Sequence, residues 1–259
     1  MAGPTYTTRA IVLRKTKLKE SDLIFTLIGA DGAQRRVVAK GARKPSSSFA
    51  SRMELFSEAD LLCATGRNLD ILKEARLVAA RARLRDSLEH ATAAAPMAEL
   101  LGRVAQQDLA EPRLFQATSV ALDALDRAPA EAAPSLTAAH LLKTLAFSGL
   151  RPQLGACALC GAPLEGAGGA LRLSLAEGGL VCEACRGRAE SMPVAAADVA
   201  AARFLLGSTF ADIEQAAMPP ARAFPALRLA QGLVREHVGA RLKSLEFMLG
   251  CGLYGIGVQ

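Results

Sequence analysis

Four cysteines in two pairs constrain this sequence more than any other feature. They are Cys157 and Cys160, followed by Cys182 and Cys185, with 21 residues between the pairs. Each pair forms a Cys-x-x-Cys turn, and two such turns can deliver four thiolates to one tetrahedral zinc ion. We therefore expect one small module of the chain to fold around a metal.

The residues between the two pairs support this interpretation. Residues 170–175 and 179–182 flank a polar, glycine-containing turn, which predicts a hairpin, and knuckle–hairpin–knuckle is the layout of a zinc ribbon. Four cysteines fill all four positions of tetrahedral zinc, so we predict one structural Zn²⁺ rather than a catalytic one. An iron–sulfur cluster also takes four thiolates and stays open on ligand count alone. A redox dithiol is disfavoured because the surrounding sequence lacks an α/β pattern.

The first third of the chain indicates short strands. Residues 9–13, 22–28, 35–39, 58–64 and 69–72 are apolar or β-branched and are separated by turns rich in Gly, Asp and Asn. Strands at this spacing predict a small closed β-barrel. Residues 41–48 form a polar loop with Pro and Ser, which we expect to be mobile.

The pattern changes to a helical period from about residue 82. Apolar residues then recur every three or four positions, as in an amphipathic helix. Helices are predicted at 114–125, 136–147, 197–206, 210–217 and 221–242. Pro96, Pro112, Pro129 and Pro134 are predicted to separate successive helices, and Gly149 to end one. The result is a helical bundle with residues 152–190 inserted in it.

Basic residues are unevenly distributed. Residues 1–80 hold 14 Lys and Arg against 8 Asp and Glu, whereas residues 81–259 hold 17 of each. The whole net charge of +6 therefore lies in the predicted barrel, which points to a polyanionic partner. A solvated basic surface that only aids solubility is the alternative interpretation.

Small β-barrels with cationic loops bind oligonucleotides in an electrostatic groove. The predicted DNA-binding residues are Arg14, Lys15, Lys17, Lys19, Arg35, Arg36, Lys40, Arg43, Lys44 and Arg52. Aromatic residues are sparse, and only Tyr6 and Phe49 are candidates for base stacking. We therefore expect binding that is driven by phosphate contacts and weakly sequence-specific.

No catalytic residue is predicted. His90, His140 and His237 are scattered, and Asp22, Asp31, Glu54, Glu58 and Asp60 form no obvious set for two-metal chemistry. A G-x-G-x-x-G match at residues 250–255 has no strand–helix context, so it predicts a flexible tail rather than a nucleotide site. No apolar run approaches the roughly 20 residues of a membrane span, and the first residues lack a secretory signal. We expect a cytoplasmic protein.

Three motifs resemble the bacterial RecO recombination-mediator family. They are the N-terminal Thr-x-x-Ala-Ile-Val-Leu followed by Lys19-Glu-Ser-Asp22-Leu, then Ala39-Lys-Gly-Ala-Arg-Lys44, and finally Gly239-Ala-Arg-Leu-Lys-Ser244. The resemblance runs along the whole chain in order. It implies an α+β protein with an OB-type barrel at residues 1–80 and a helical domain at 81–259, into which the four-cysteine zinc module is inserted.

The resemblance also implies a function. Such proteins bind single- and double-stranded DNA and anneal complementary strands, and with RecR they help load RecA onto DNA coated by single-stranded-DNA-binding protein. These roles would place the chain at the bacterial nucleoid during repair. They need no catalytic residue. Because the cationic groups of the barrel would hold the phosphates, we expect charge reversal at Arg35 and Lys40 to abolish binding and annealing. The alternatives are a zinc-ribbon adaptor that binds RNA or protein, and a nucleic-acid-processing enzyme.

Overall fold

The structure, a computed structural model, describes residues 3–18, 20–44, 47, 49, 51–164 and 171–255. Two parts follow one another along the chain, a barrel of strands and a body of helices that carries a small second sheet. Within the described residues, no helix is both long and apolar enough to cross a membrane.

Five strands form the N-terminal part. They are β1 (Thr5–Lys17), β2 (Leu23–Gly29), β3 (Gln34–Ala39), β4 (Glu58–Ala64) and β5 (Asp70–Ala79). They close into a barrel in the order β1-β2-β3-β5-β4, and β3 and β5 are its one parallel pair. Strand β1 extends beyond its predicted limits at both ends and contains a register shift between Val12 and Arg14. Arg14, Lys15 and Lys17 therefore lie on β1 and not after it.

The apolar run at the centre of β1 is explained by burial on both of its faces. Ala10 and Val12 belong to the barrel core, whereas Ile11 and Leu13 pack against the helices. A strand buried on one face alone would alternate apolar and polar residues. Cys63 is fully buried in the barrel core, where it acts as a small apolar residue.

Eight α-helices form the body in the described chain, and a π-helical turn, Val234–Val238, continues the seventh. They are α1 (Arg83–Asp86), α2 (Leu88–Val104), α3 (Pro112–Arg127), α4 (Ala133–Phe147), α5 (Ala196–Gly207), α6 (Phe210–Ala216), α7 (Pro220–Leu233) and α8 (Lys243–Gly250). Nearly every residue of α4 is buried, so α4 is the central helix around which the others pack. It ends at Phe147, and Gly149, which was predicted to end this helix, lies two residues further on with φ of 82°, a value disfavoured for residues with a Cβ atom.

The four-cysteine insert carries two short strands, β6 (Leu171–Ser174) and β7 (Gly179–Val181), and a third, β8 (Met192–Val194), follows directly after it. The strands β6 and β7 form the predicted hairpin, and β8 pairs with the other edge of β6. A 3₁₀ turn, Glu183–Arg188, follows β7 and holds Cys185.

The barrel is anchored to the helical body at the β2–β3 turn. Gly32 there has φ of 79°, and a Cβ atom at this position would lie 1.9 Å from the Glu111 carbonyl oxygen. The next strand begins at Gln34, whose backbone N–H donates to the Gln106 carbonyl at 2.9 Å. The two parts are therefore in direct backbone contact.

Two expectations about the helical body are wrong. Pro96 lies inside α2 and does not separate two helices. Its ring removes one backbone hydrogen bond, but Pro96 itself is buried among residues of α2 that pack into the core. The prediction of a flexible C-terminal tail is also wrong for the residues up to Tyr254. The Tyr254 side chain is 9% exposed, and its hydroxyl donates a hydrogen bond to the Glu89 carbonyl at 2.6 Å.

Candidate nucleic-acid interface and metal centre

Two arginines lie side by side on the outer surface of the barrel. Arg14 of β1 is in register with Thr26 of β2, and Thr26 is in register with Arg36 of β3. Residues in register on neighbouring strands point to the same face, so both guanidinium groups project from one surface. Both side chains are exposed, and neither has an ion-pair partner among the described residues.

More basic residues gather at one end of this surface. Lys17 ends β1, and Lys40 directly follows β3. The turn after β3 is held against the β1–β2 loop, because the Gly41 N–H donates to Asp22 Oδ1 at 2.8 Å and the Arg43 N–H to the Ser21 carbonyl at 2.9 Å. Lys40, Arg43 and Lys44 are therefore exposed near Lys17. We call Arg14, Lys17, Arg36, Lys40, Arg43 and Lys44 the basic face.

The other predicted DNA-binding residues have different surroundings. Arg35 is half-buried and forms a two-bond ion pair with Asp31 at 2.6 and 2.7 Å, which raises the pKa of Arg35. Lys15 pairs with Glu54 at 2.9 Å. Arg52 donates to the Ala75 carbonyl at 3.2 Å, beside strands β4 and β5 and away from the basic face. Lys19 lies outside the described residues.

The carboxylates considered for two-metal chemistry are distributed over separate contacts. Glu58 pairs with Arg81 at 2.9 Å, and Asp60 accepts from both Arg9 and Arg76. Asp31 and Glu54 hold the basic partners named above, and Asp22 accepts the Gly41 N–H. In the described parts of the chain, no group of these carboxylates converges as metal ligands; the cysteines do.

The two candidate stacking residues are attached to the barrel. The Tyr6 hydroxyl donates to Asp70 Oδ2 at 2.5 Å, and burial together with this hydrogen bond raises the pKa of Tyr6. Tyr6 and Phe49 are both half-buried and pack against the barrel core. Neither ring projects as a free stacking platform among the described residues.

Two cationic residues of the helical body stand opposite the basic face and were not among the predicted DNA-binding residues. Arg103, near the end of α2, and Lys243, at the start of α8, line a cleft of about 760 Å³ together with Arg14 and Arg36. Lys243 belongs to the motif 239–244 that carried the family resemblance. That motif was the one feature of the sequence that could have identified Lys243 as a functional residue. Arg103 is an ordinary exposed arginine of an amphipathic helix, and only the packing of α2 gives it this position.

The four cysteines of the insert converge. The sulfurs of Cys157, Cys160, Cys182 and Cys185 all lie within 4.8 Å of one another. Zn–S bonds of about 2.3 Å in a tetrahedron require sulfur–sulfur separations of about 3.8 Å. The Cys160 and Cys182 sulfurs are 3.7 Å apart, so the cluster is compatible with a zinc site.

The surroundings of the sulfurs differ from one thiol to the next. Burial raises the pKa of Cys157, but N–H donors from Cys182, Cys160 and Leu159 outweigh it and lower that pKa to about 6. The backbone N–H of Cys182 lies 3.4 Å from the Cys157 sulfur. Burial and the three neighbouring thiols raise the pKa of Cys185 to about 12. Four thiolates this close repel one another, so a bound dication is what allows them all to ionise.

Comparisons with known proteins place both parts of the chain in one family. The N-terminal model of recombination protein O matches residues 1–81, and its C-terminal model matches residues 85–246. The DNA repair protein RecO of Roseiflexus sp. strain RS-1 is 34% identical over 250 residues, which cover 96% of this chain and 86% of that protein. The RecO protein of Synechococcus sp. strain JA-2-3B'a(2-13) is 33% identical over 97% of this chain and 91% of its own length. The RecO protein of Nocardioides sp. is 32% identical over 94% of this chain and 98% of its own length. The chain therefore belongs to the RecO family of DNA repair proteins.

Proposed function

We propose that this chain is a non-enzymatic mediator of DNA repair and recombination. It binds single- and double-stranded DNA, anneals complementary strands and, with RecR, helps load RecA onto DNA coated by single-stranded-DNA-binding protein. This work takes place at the nucleoid in the bacterial cytoplasm. Membership of the RecO family supports the proposal, and the observation that carries it is the pair Arg14 and Arg36, aligned across Thr26 on the barrel surface.

The barrel topology supports an OB-type assignment. Its five strands close in the order β1-β2-β3-β5-β4, and β3 runs parallel to β5. OB-folds are small five-stranded barrels that bind oligonucleotides across strands 2 and 3 and the adjoining loops. Here β3 carries Arg36, and the turn after it carries Lys40, Arg43 and Lys44.

The basic face suits strand annealing for an electrostatic reason. Two complementary strands repel each other through their phosphates until base pairing compensates. Cations that neutralise phosphates on one strand lower this repulsion and release condensed counterions. Contacts of this kind carry no sequence information, so they fit a protein that must act on whatever strand is damaged.

We propose a structural zinc ion for the cysteine cluster. Four sulfurs from two turns would hold it, which leaves no position for a reacting water molecule. The ion supplies charge compensation for the thiolates and holds the two turns together. The remaining residues of the insert, chiefly the β6–β7 hairpin, then keep both turns in place against the helical body.

The test is binding and annealing of complementary oligonucleotides over a salt series, with and without RecR. We expect Arg14→Glu with Arg36→Glu to lose both activities. Arg222→Glu with Arg151→Glu makes the same charge change at exposed sites of the helical body and serves as the matched control. If five or six phosphates are neutralised, wild-type affinity for duplex DNA falls about 10³-fold between 50 and 200 mM salt.

Three outcomes would contradict the proposal. Tight binding that does not respond to salt would remove the electrostatic basis. A clear preference for RNA over DNA of the same sequence would support an RNA-binding adaptor, because only RNA offers 2′-hydroxyl groups. Strand cleavage in the presence of Mg²⁺ would point to a nuclease.

A further inference from the structure

We propose that the cleft between the barrel and the helical body is a clamp for single-stranded DNA, in which Arg103 and Lys243 contact phosphates opposite those held by Arg14 and Arg36. This inference rests on the proposed function and adds a second wall to the site. The cleft lies between the outer surface of β1–β3, helix α2 and the first residues of α8.

The charge in the cleft is strongly cationic. Arg14, Arg36, Arg103 and Lys243 are all exposed, and none has an ion-pair partner in the described part of the chain. One acidic side chain, Glu99, lines the described cleft. Unpaired cations that converge from two walls favour a polyanionic occupant.

The carboxylate of Glu99 is already engaged. It accepts the backbone N–H groups of Lys243 at 3.2 Å and Ser244 at 2.9 Å, and the Ser244 hydroxyl at 2.5 Å. These donors lie at the start of α8, where the helix dipole also favours a negative charge. Glu99 therefore fixes the position of Lys243 without forming an ion pair with any of the four cations.

The walls of the cleft are joined by hydrogen bonds. Gln34 of β3 donates from Nε2 to the carbonyls of Gly102 and Ala105, both at 3.2 Å, at the end of α2. The contact between Glu99 and Ser244 ties α2 to α8 at the other wall. The four cations thus project from elements held relative to one another, which reduces the ordering cost of binding.

The size of the cleft favours a single strand. About 760 Å³ is in the range of sites that enclose a drug-sized molecule, which is room for a short stretch of strand between the two walls. Leu55, Ala95 and Ala98 contribute apolar surface between the cations, where bases can make contacts that tolerate any sequence.

The salt dependence of binding tests the clamp. With a dye-labelled oligothymidine, we expect Arg103→Gln with Lys243→Gln to reduce the slope of log affinity against log salt by about 1.4, since each phosphate contact on a single strand contributes about 0.7. Arg222→Gln with Arg151→Gln removes two exposed cations that do not line the cleft and is expected to leave the slope unchanged.

Photo-crosslinking gives a second readout that does not depend on affinity. Gly102 lines the cleft, and a Cβ atom added to it would meet open space, so p-benzoylphenylalanine fits there. We expect it to crosslink to bound oligothymidine. The same group at Gly207, an equally open helical glycine outside the cleft, should give no crosslink.

The outcomes separate the clamp from the wider proposal. If Arg14→Gln with Arg36→Gln reduces the slope, while the Arg103 and Lys243 variant keeps the wild-type slope and Gly102 gives no crosslink, the clamp is overturned and the basic face stands. If the wild-type protein shows no salt-dependent binding to DNA, both proposals fail.

Discussion

Arg81 places its Nη2 atom 2.9 Å from Glu58 Oε2, and the two side chains are only 2% and 7% exposed. The same guanidinium donates from Nη1 to the Phe56 carbonyl at 3.0 Å and from Nε to Asp123 at 2.6 Å. Glu58 and Phe56 belong to the barrel part, whereas Asp123 lies on α3. One buried arginine therefore connects the barrel to the helical body, and it does so with a backbone φ of 45° that non-glycine residues rarely adopt.

We expect Arg81→Met to destabilise the protein by about 3–5 kcal/mol, because the buried Glu58 carboxylate would lose its close ion-pair partner. It would keep only the Ser119 hydroxyl at 2.7 Å and the more exposed Arg9 at 3.9 Å. Urea unfolding measures this change. Arg76→Met is the matched control, since it removes an arginine that is 82% exposed and pairs with Asp60. It should cost about 0–1 kcal/mol. Equal effects of the two substitutions would show that the buried network does not stabilise the junction.

The burial of His140 predicts that the free energy of unfolding depends on pH. It is fully buried on α4, and burial lowers its pKa to about 3. The Thr118 hydroxyl donates to the Leu114 carbonyl at 2.6 Å and accepts from His140 Nε2 at 2.9 Å. The Nδ1 atom has no hydrogen-bond donor within the described structure, so a proton added there would place a charge in the core.

The unfolded chain binds this proton below its ordinary pKa of about 6.5, and the folded chain does so only near pH 3. The stability that neutral His140 contributes is therefore fully present above pH 6.5 and is lost as the pH falls towards 3. Between pH 7 and pH 5 the loss from His140 is about 2 kcal/mol. In urea unfolding, His140→Gln should remove this part of the pH dependence. Parallel pH profiles for the variant and the wild type would refute the assignment.

Features set by residues close in sequence could be predicted from the sequence. The Cys-x-x-Cys spacing predicted each pair of sulfurs, because a short turn brings two sulfurs together whatever surrounds it. The hairpin between the pairs predicted that the two turns meet. The apolar runs in residues 9–72 predicted five strands, although β1 and β5 extend several residues further. The prediction that Pro96 separates two helices was wrong. It considered only the backbone hydrogen bond that a proline removes, whereas the residues of α2 before and after Pro96 are buried in the core and keep the helix continuous.

The partners of individual basic residues, and the contacts between residues far apart in sequence, could not be predicted. Arg35 and Arg36 are neighbours in sequence, but Arg35 is bound to Asp31 and Arg36 projects into the cleft. Charge counting treats the two as equal. Arg103 and Lys243 are 140 positions apart, and only the packing of α2 against α8 places them on one wall.

Tyr254 predicts that the segment after α8 contributes to stability. Its ring packs edge-on against Phe224 at a centroid distance of 6.4 Å, and its hydroxyl donates to the Glu89 carbonyl. We expect Tyr254→Ala to cost about 3 kcal/mol in urea unfolding, as is usual for a buried aromatic residue. Phe247→Ala removes a ring that is 57% exposed and should cost much less. A Tyr254 variant as stable as the wild type would support the interpretation of this segment as a flexible tail.

Removal of zinc should affect the insert and leave the barrel intact. The binding free energy of structural zinc, about 10–16 kcal/mol in small zinc modules, goes into folding the residues around it. We expect one equivalent of zinc in the purified protein, and a chelator or Cys160→Ser should increase hydrogen exchange in 152–190. Cys251→Ser alters a cysteine outside the cluster and should retain the metal.

Affinity for oligothymidine should change less than twofold on zinc removal, because the basic face and the cleft contain no residue of the insert. Anisotropy titrations before and after chelation measure this, and circular dichroism confirms that the helices persist. If the protein keeps its helices but loses its affinity for DNA, the cysteine module itself makes the DNA contact, and the assignment of that role to the barrel is wrong.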